Sequence, residues 1–231
     1  MSLIRAARIL LTRRRVLMGA GAFVATGPAV VRAAPAIPPS MCILTPQATE
    51  GPFYFDPELN RTDLTEDRAG VPLSLRVRVV DAGDGCAPIS NARVDIWHCD
   101  TAGLYSGYAD QGFEGGVDAR NEKFLRGWQA ADADGLTAFR TIYPGTYPIR
   151  VTHIHVKVFL NEREALTAQI YFPEETTRAV YREADVYAAS IPNVRPNESD
   201  FIAQRQGDSM LAEIGDDSGV MTASVTVGVQ A

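Results

Sequence analysis

The feature that most restricts how this chain folds is a period-two alternation of apolar and polar residues, repeated in short runs between turns. Leu73, Leu75, Val77 and Val79 fall on one face, with Ser74, Arg76 and Arg78 on the other. That spacing suits a half-buried strand and not a helix, because strand side chains alternate faces. The segment from Met221 to Val229 alternates in the same way. Further strands are expected over Ala92–His98, Phe124–Ala130, Leu136–Tyr143, His153–Leu160 and Leu166–Phe172. Asp81-Ala82-Gly83-Asp84-Gly85 reads as a turn, and Asp132-Ala133-Asp134-Gly135 as the turn of a hairpin joining the strands beside it. Only residues 174–190 look helical. Many short strands and one or two short helices predict an all-β protein with a β-sandwich core. Residues 34–72 hold seven prolines and read as an irregular arm leading into a sandwich domain over 73–231.

The first 33 residues are excluded from the fold. They carry Arg5, Arg8, Arg13, Arg14, Arg15 and Arg32 and no acidic residue, with an apolar stretch over 17–31 and then Val31-Arg32-Ala33-Ala34. This order is that of a secretory signal, and the adjacent arginines point to the twin-arginine export route. A retained membrane anchor is the alternative, but the apolar stretch is shorter than the ~20 residues a span needs and is broken at Gly27-Pro28. An exported, periplasmic or extracellular protein is therefore expected. Without the six signal arginines, the chain's 22 basic and 28 acidic residues become 16 and 28, so a net charge of −6 becomes −12. So acidic a protein is a poor partner for nucleic acid or an anionic membrane. Two of Cys42, Cys86 and Cys99 can pair in an oxidising compartment, or all three can stay reduced; the spacing does not choose.

Chemistry concentrates at His153-Ile154-His155, which contains two of the chain's three histidines. On a strand both imidazoles project from one face, while Ile154, Val156, Val158 and Leu160 point the other way. Two same-side imidazoles can grip one metal ion. A zinc site wants a third histidine, cysteine or carboxylate, and none is well placed. The nearer candidates are Tyr147, six residues before His153, and Tyr105, just after the second strand. Phenolate is a hard anionic donor that suits a ferric ion.

Several stretches together resemble the intradiol ring-cleaving dioxygenases, the family of catechol 1,2-dioxygenase and protocatechuate 3,4-dioxygenase. They are Thr45-Pro46-Gln47-Ala48-Thr49-Glu50-Gly51-Pro52-Phe53, Val94-Asp95-Ile96-Trp97-His98 running to Gly103-Leu104-Tyr105, Arg140-Thr141-Ile142-Tyr143-Pro144-Gly145 running to His155, and Leu166-Thr167-Ala168-Gln169-Ile170-Tyr171-Phe172. The resemblance implies a non-haem iron(III) held by Tyr105, Tyr147, His153 and His155, with Tyr105 and His153 equatorial and Tyr147 and His155 axial. It implies that Tyr147 leaves the metal when substrate arrives, that Arg150 faces the bound ring, and that Gln169 lies just outside the ligand set. The implied reaction joins a catechol and O2 and opens the ring between its hydroxyls to a cis,cis-muconate-type diacid. His98 is expected to be structural, with a place just outside the ligand set as the alternative, and Tyr108 to lie near enough to Tyr105 to line the pocket, with plain packing as the alternative. Only five residues separate Tyr147 from His153, where the best-known members carry a longer insertion, so a more open site is expected. The N-terminal helical dimerisation region of catechol 1,2-dioxygenases is missing, which leaves the oligomeric state open. Two other readings stand beside this one: a non-catalytic β-sandwich that binds a ligand, and a zinc or copper enzyme built on the His pair.

Overall fold

The computed structural model describes residues 42–112 and 115–231; the predicted export signal and the start of the arm lie outside them. Among the described residues nine strands form two sheets. One sheet holds β1 (Pro72–Asp81), β2 (Ala87–Pro88), β5 (Leu136–Ile142), β8 (Glu213–Asp217) and β9 (Val220–Val229). The other runs β4-β3-β6-β7, comprising Arg126–Ala130, Arg93–Trp97, His153–Leu160 and Arg163–Tyr171. The core lies between them. Leu73, Leu75, Val77 and Val79 of β1 are fully buried against the inward residues of the second sheet, among them Val94, Ile154, Val156, Val158, Ala168 and Ile170. Each Val, Leu or Ile so buried contributes about 1.5–3 kcal/mol. The sandwich is as the alternation predicts.

The expected hairpin across Asp132–Gly135 is not one. β4 pairs with β3, while β5 pairs with β1 over seven residues from Leu136 opposite Arg78 to Ile142 opposite Pro72. The turn carries the chain from one sheet to the other. What decides this is the longer partner: β1 offers β5 a seven-residue edge, and the Val79 amide donates to the Gly135 carbonyl at 2.8 Å. Turn chemistry reports that the chain reverses and not which strands then pair.

The helical region also differs from expectation. Helix α1 spans Glu174–Glu183 and gives way to a short 3-10 turn at Asp185–Tyr187, while a second helix, α2, occupies Phe201–Gln206. Six residues are too few to show a 3.6-residue period, so α2's sequence signal was its cap. Asp200 accepts from the amides of Ile202 and Ala203 at 2.9 and 3.3 Å. Strand β8 is exposed and acidic (Glu213, Asp216, Asp217), a protected edge paired to β9 and invisible to a hydrophobic pattern.

Two features of the fold place the site. The outward face of the second sheet carries Trp97, His155 and Gln169 side by side across β3, β6 and β7, with His153 opposite Tyr171. The arm then covers that face. Thr45 exchanges hydrogen bonds with Gly228 of β9 at 2.9 Å in each direction, and the Ala48 amide donates to Thr167 of β7 at 2.8 Å. A disulfide from Cys42 to Cys86 fastens the arm to the turn between β1 and β2, and Cys99 is free and buried.

Candidate metal and substrate site

Each candidate ligand is held by an identifiable local device. The loop after β3 closes on Asp100, whose carboxylate accepts from the amides of Ala102 and Leu104 at 2.9 and 3.0 Å. This Asx-type turn delivers Tyr105, whose own amide donates to Gln111 at 3.1 Å. The second tyrosine depends on Gly145. A Cβ there would lie 2.4 Å from the Asp100 carbonyl oxygen and 2.8 Å from Ser190 Oγ. Only glycine lets segment 143–147 press against the Asp100 loop, and the Tyr105 and Tyr147 ring centroids are then 5.8 Å apart. Helix α1 braces the same segment from below, since Tyr181 donates to the Pro144 carbonyl at 2.9 Å and bonds Thr152 at 2.8 Å.

The four predicted ligands converge. His153 Nε2 lies 3.1 Å from His155 Nε2, 3.4 Å from the Tyr147 hydroxyl and 3.5 Å from the Tyr105 hydroxyl. Two donors about 2.1 Å from a shared ion and about 90–110° apart around it stand about 3.0–3.4 Å from each other, so the spacing fits a metal ion. His153 Nδ1 faces the Val151 carbonyl at 2.7 Å; a carbonyl only accepts, so the proton sits on Nδ1 and Nε2 keeps a free lone pair. His155 is held otherwise. Its ring stacks on Trp97 with centroids 4.6 Å apart and planes 8° from parallel, and its buried Nδ1 has no hydrogen-bond partner among the described residues.

Electrostatics agrees with that geometry. Burial, helped by the charge of Arg150, pushes His153 down to about 3; burial and the neighbouring His153 push His155 well below its ordinary value. Both imidazoles are neutral donors at physiological pH. Burial raises the Tyr105 phenol well above 10 and raises that of Tyr147, so neither ionises without a strong compensating cation. Two neutral imidazoles and two buried phenols aimed at one point form a donor set suited to a hard, highly charged ion. Among the described residues no third histidine, cysteine or carboxylate joins them.

Arg150 and Gln169 lie beside the cluster. Arg150 Nη1 lies 3.5 Å from His153 Nε2, and Nη2 donates to Gln169 Oε1. Gln169 in turn donates to the Thr49 carbonyl at 3.0 Å, tying the cluster to the arm. His98 is structural: fully buried, it bonds the Cys99 carbonyl at 2.8 Å and Thr141 Oγ1 at 2.7 Å. Tyr108 donates to the Tyr54 carbonyl at 2.8 Å and packs edge-on against Phe53, outside the converging set.

Several supporting residues escaped the sequence reading. Asp200, almost fully buried, accepts from Arg150 Nε at 2.7 Å and from the Val151 amide at 3.1 Å. Gln206 accepts from the Gln169 amide and donates to the Pro46 carbonyl, each at 3.0 Å. Phe53 of the arm stacks on Tyr105 with centroids 4.5 Å apart. Arg126, buried, donates to Ser106 Oγ at 2.8 Å and places its guanidinium 5.9 Å from the Tyr105 ring centroid. Only the Asp200 cap had a sequence signal; the others reach the site through long-range packing.

Fold and cluster together define a two-sheet sandwich with two histidines and two tyrosines gathered on the outer face of one sheet. The family model described as dioxygenase matches residues 48–184, more than half of the chain, which therefore belongs to the intradiol dioxygenase family. Over 146 residues the chain is 32% identical to a chlorocatechol 1,2-dioxygenase of Pseudomonas sp. (strain P51), a match covering 54% of each protein. It is 35% identical over 126 residues to the protocatechuate 3,4-dioxygenase beta chain of Burkholderia cepacia, covering 48% of this chain and 51% of that one. The chain thus spans about half the length of these curated relatives. A solved intradiol ring-cleavage dioxygenase from Tetranychus urticae superposes with a TM-score of 0.74 at 30% identity, over 82% of this chain and 95% of the other.

Proposed function

We propose that this protein is an intradiol dioxygenase that takes a catechol and O2 to a cis,cis-muconate-type diacid at a ferric ion held by Tyr105, Tyr147, His153 and His155. The observation that carries the proposal is the gathering of the other three donor atoms 3.1–3.5 Å from His153 Nε2. Bound there, iron(III) would lower the cost of ionising a catechol and make its ring carbons reactive towards O2. The protein's own residues do the rest. Burial favours the protonated form of Tyr147, so its phenolate oxygen is a ready acceptor for a proton from an incoming catechol hydroxyl. Arg150 sets a fixed positive charge beside the cluster, oriented by Asp200 and Gln169, where charge on the ring would develop. The arm keeps bulk water from the ligands by laying Phe53 on Tyr105.

Export by the twin-arginine route belongs to the same proposal. The Cys42–Cys86 disulfide supports it, because such bonds persist in oxidising compartments. A zinc or copper site is the less favoured reading, since the cluster supplies phenols where those metals want another imidazole, thiolate or carboxylate. The test is product analysis with isotopically heavy O2 and catechol. Two heavy oxygens in an opened diacid support the proposal. A quinone, or a ring opened beside the hydroxyls and not between them, contradicts it.

A further inference from the structure

His155 differs from its neighbour in how its ring is fixed. The His153 ring is pinned by the hydrogen bond from its Nδ1 to the Val151 carbonyl at 2.7 Å, whereas His155 Nδ1 is buried with no partner among the described residues. A histidine that binds a metal ion through one nitrogen nearly always donates from the other, which sets the plane of the ring. Rotation about the bond to the ring is otherwise soft, because that torsion has broad minima. The neighbour across β6 and β7 is Gln169, which pairs with His155 in the sheet register. Its amide is committed elsewhere: Oε1 accepts from Arg150 and Tyr171, and Nε2 donates to the Thr49 carbonyl.

What does meet the ring is Trp97, directly opposite His155 in the antiparallel pairing of β3 and β6. The register sets two flat side chains side by side on one face, and they lie 8° from parallel with centroids 4.6 Å apart. A buried tryptophan usually finds a partner for its indole N–H, yet Trp97 Nε1 is buried and has none among the described residues. This indole therefore serves the site through its face and not through its N–H. The arm backs the pair at two points. Tyr54 packs on Trp97 with centroids 4.7 Å apart and is anchored by donating to Asp95 at 3.1 Å. Gly51 lies at the edge of the imidazole, where an added Cβ would stand 3.5 Å from His155 Cε1.

We infer that Trp97 is a positioning residue that fixes the plane of the His155 ring by stacking, in place of the hydrogen bond that orients His153. The stack keeps His155 Nε2 aimed at the point where the four donors meet. The inference rests on the metal site proposed above, though not on the reaction. It requires a flat aromatic face at position 97 and is indifferent to the indole N–H.

The experiment compares wild type, Trp97→Phe, Trp97→Leu and Tyr54→Leu. In the metal-free proteins, carbon relaxation by NMR reports the mobility of the two histidine rings, with His153 as the internal reference. In the iron(III)-loaded proteins, the rate at which iron is lost to a weak chelator is followed. Both rings should be equally rigid in wild type. Trp97→Leu should free the His155 ring alone and lose iron about tenfold faster or more, the scale of removing a group that orients a metal-bound histidine. Trp97→Phe retains the stacking face, so its His155 ring should stay still and its iron loss remain within about threefold of wild type, below that scale. Tyr54→Leu keeps Trp97 but removes its backing, so it should loosen the same ring even if Trp97→Leu fails to fold. A His155 ring that stays rigid in every folded variant overturns the positioning role, as does a Trp97→Phe protein that behaves like Trp97→Leu. Loosening of both histidine rings together shows a general packing part for Trp97 and overturns it as well. A wild type that takes up no iron, while Trp97→Leu frees the His155 ring, overturns the metal site and leaves the stack standing.

Discussion

Replacing Asp200 should cost more stability than any other single change at the rim of the site, and the structure gives the scale. Its carboxylate makes four hydrogen bonds. One oxygen accepts from Arg150 Nε at 2.7 Å and the Val151 amide at 3.1 Å; the other caps α2 through Ile202 and Ala203 at 2.9 and 3.3 Å. The pair is largely removed from water, with side chains 2% and 13% exposed, so breaking it leaves a guanidinium without its counter-charge, at a cost of about 3 kcal/mol or more. Asn caps a helix about as well as Asp, whereas Ala forfeits about 1 kcal/mol of cap. Asp200→Asn should therefore lose about 3 kcal/mol and Asp200→Ala about 4 kcal/mol. With an m-value of about 2 kcal/mol per molar, the urea midpoint falls by about 1.5 M for Asp200→Asn. Burial alone would raise the Asp200 carboxyl, but the hydrogen bond and charge of Arg150 outweigh it and hold the group below the usual carboxylate range. A depressed folded-state pKa gives stability that is present above the unfolded value, about 4, and lost as pH falls through the folded one. The gap between wild type and Asp200→Asn should thus be full at pH 7 and close below about pH 4. Equal midpoints at pH 7, or a gap that persists undiminished in acid, would refute the reasoning.

Other outcomes follow from single features. The Cys42–Cys86 bond spans a separation of 44 residues, which in the chain-entropy account is worth about 4 kcal/mol; a Cys42→Ser, Cys86→Ser double variant should lose that in urea unfolding, and wild type should match it once reduced. At Gly228 an added Cβ would lie 2.1 Å from the Ile43 carbonyl oxygen, so Gly228→Ala should lift the arm around Ile43 and make it cut faster in limited proteolysis, with the sandwich intact. Tyr147→Phe and His155→Ala each remove one converging donor, and elemental analysis should find well under one iron per chain after dialysis against a weak chelator, where wild type retains it.

Much of this protein is legible in its sequence because its signals are local. Alternation over 73–79 and 221–229 needs only neighbours one strand away to become a sheet face, and the His153/His155 pair announces its shared face by spacing alone. What escapes is long-range. The turn at Asp132–Gly135 looks the same whether the next strand pairs backwards or crosses to the other sheet. The arm reads as irregular from its prolines, and nothing local shows that Phe53 stacks on Tyr105 or that Thr45 docks on Gly228. Asp200 sits 50 residues from the arginine it orients, on a helix too short to show its period. The four converging residues could be singled out through the family resemblance; what supports them comes from across the fold.

The central claim is that Tyr105, Tyr147, His153 and His155 bind one ferric ion that a catechol can reach. The most direct test is the visible spectrum of the iron-loaded protein, recorded before and after catechol is added without oxygen. The account predicts a broad tyrosinate-to-iron(III) absorption that shifts when catechol binds and that is lost or sharply altered in Tyr105→Phe. An iron-loaded protein that is colourless and indifferent to catechol would contradict it.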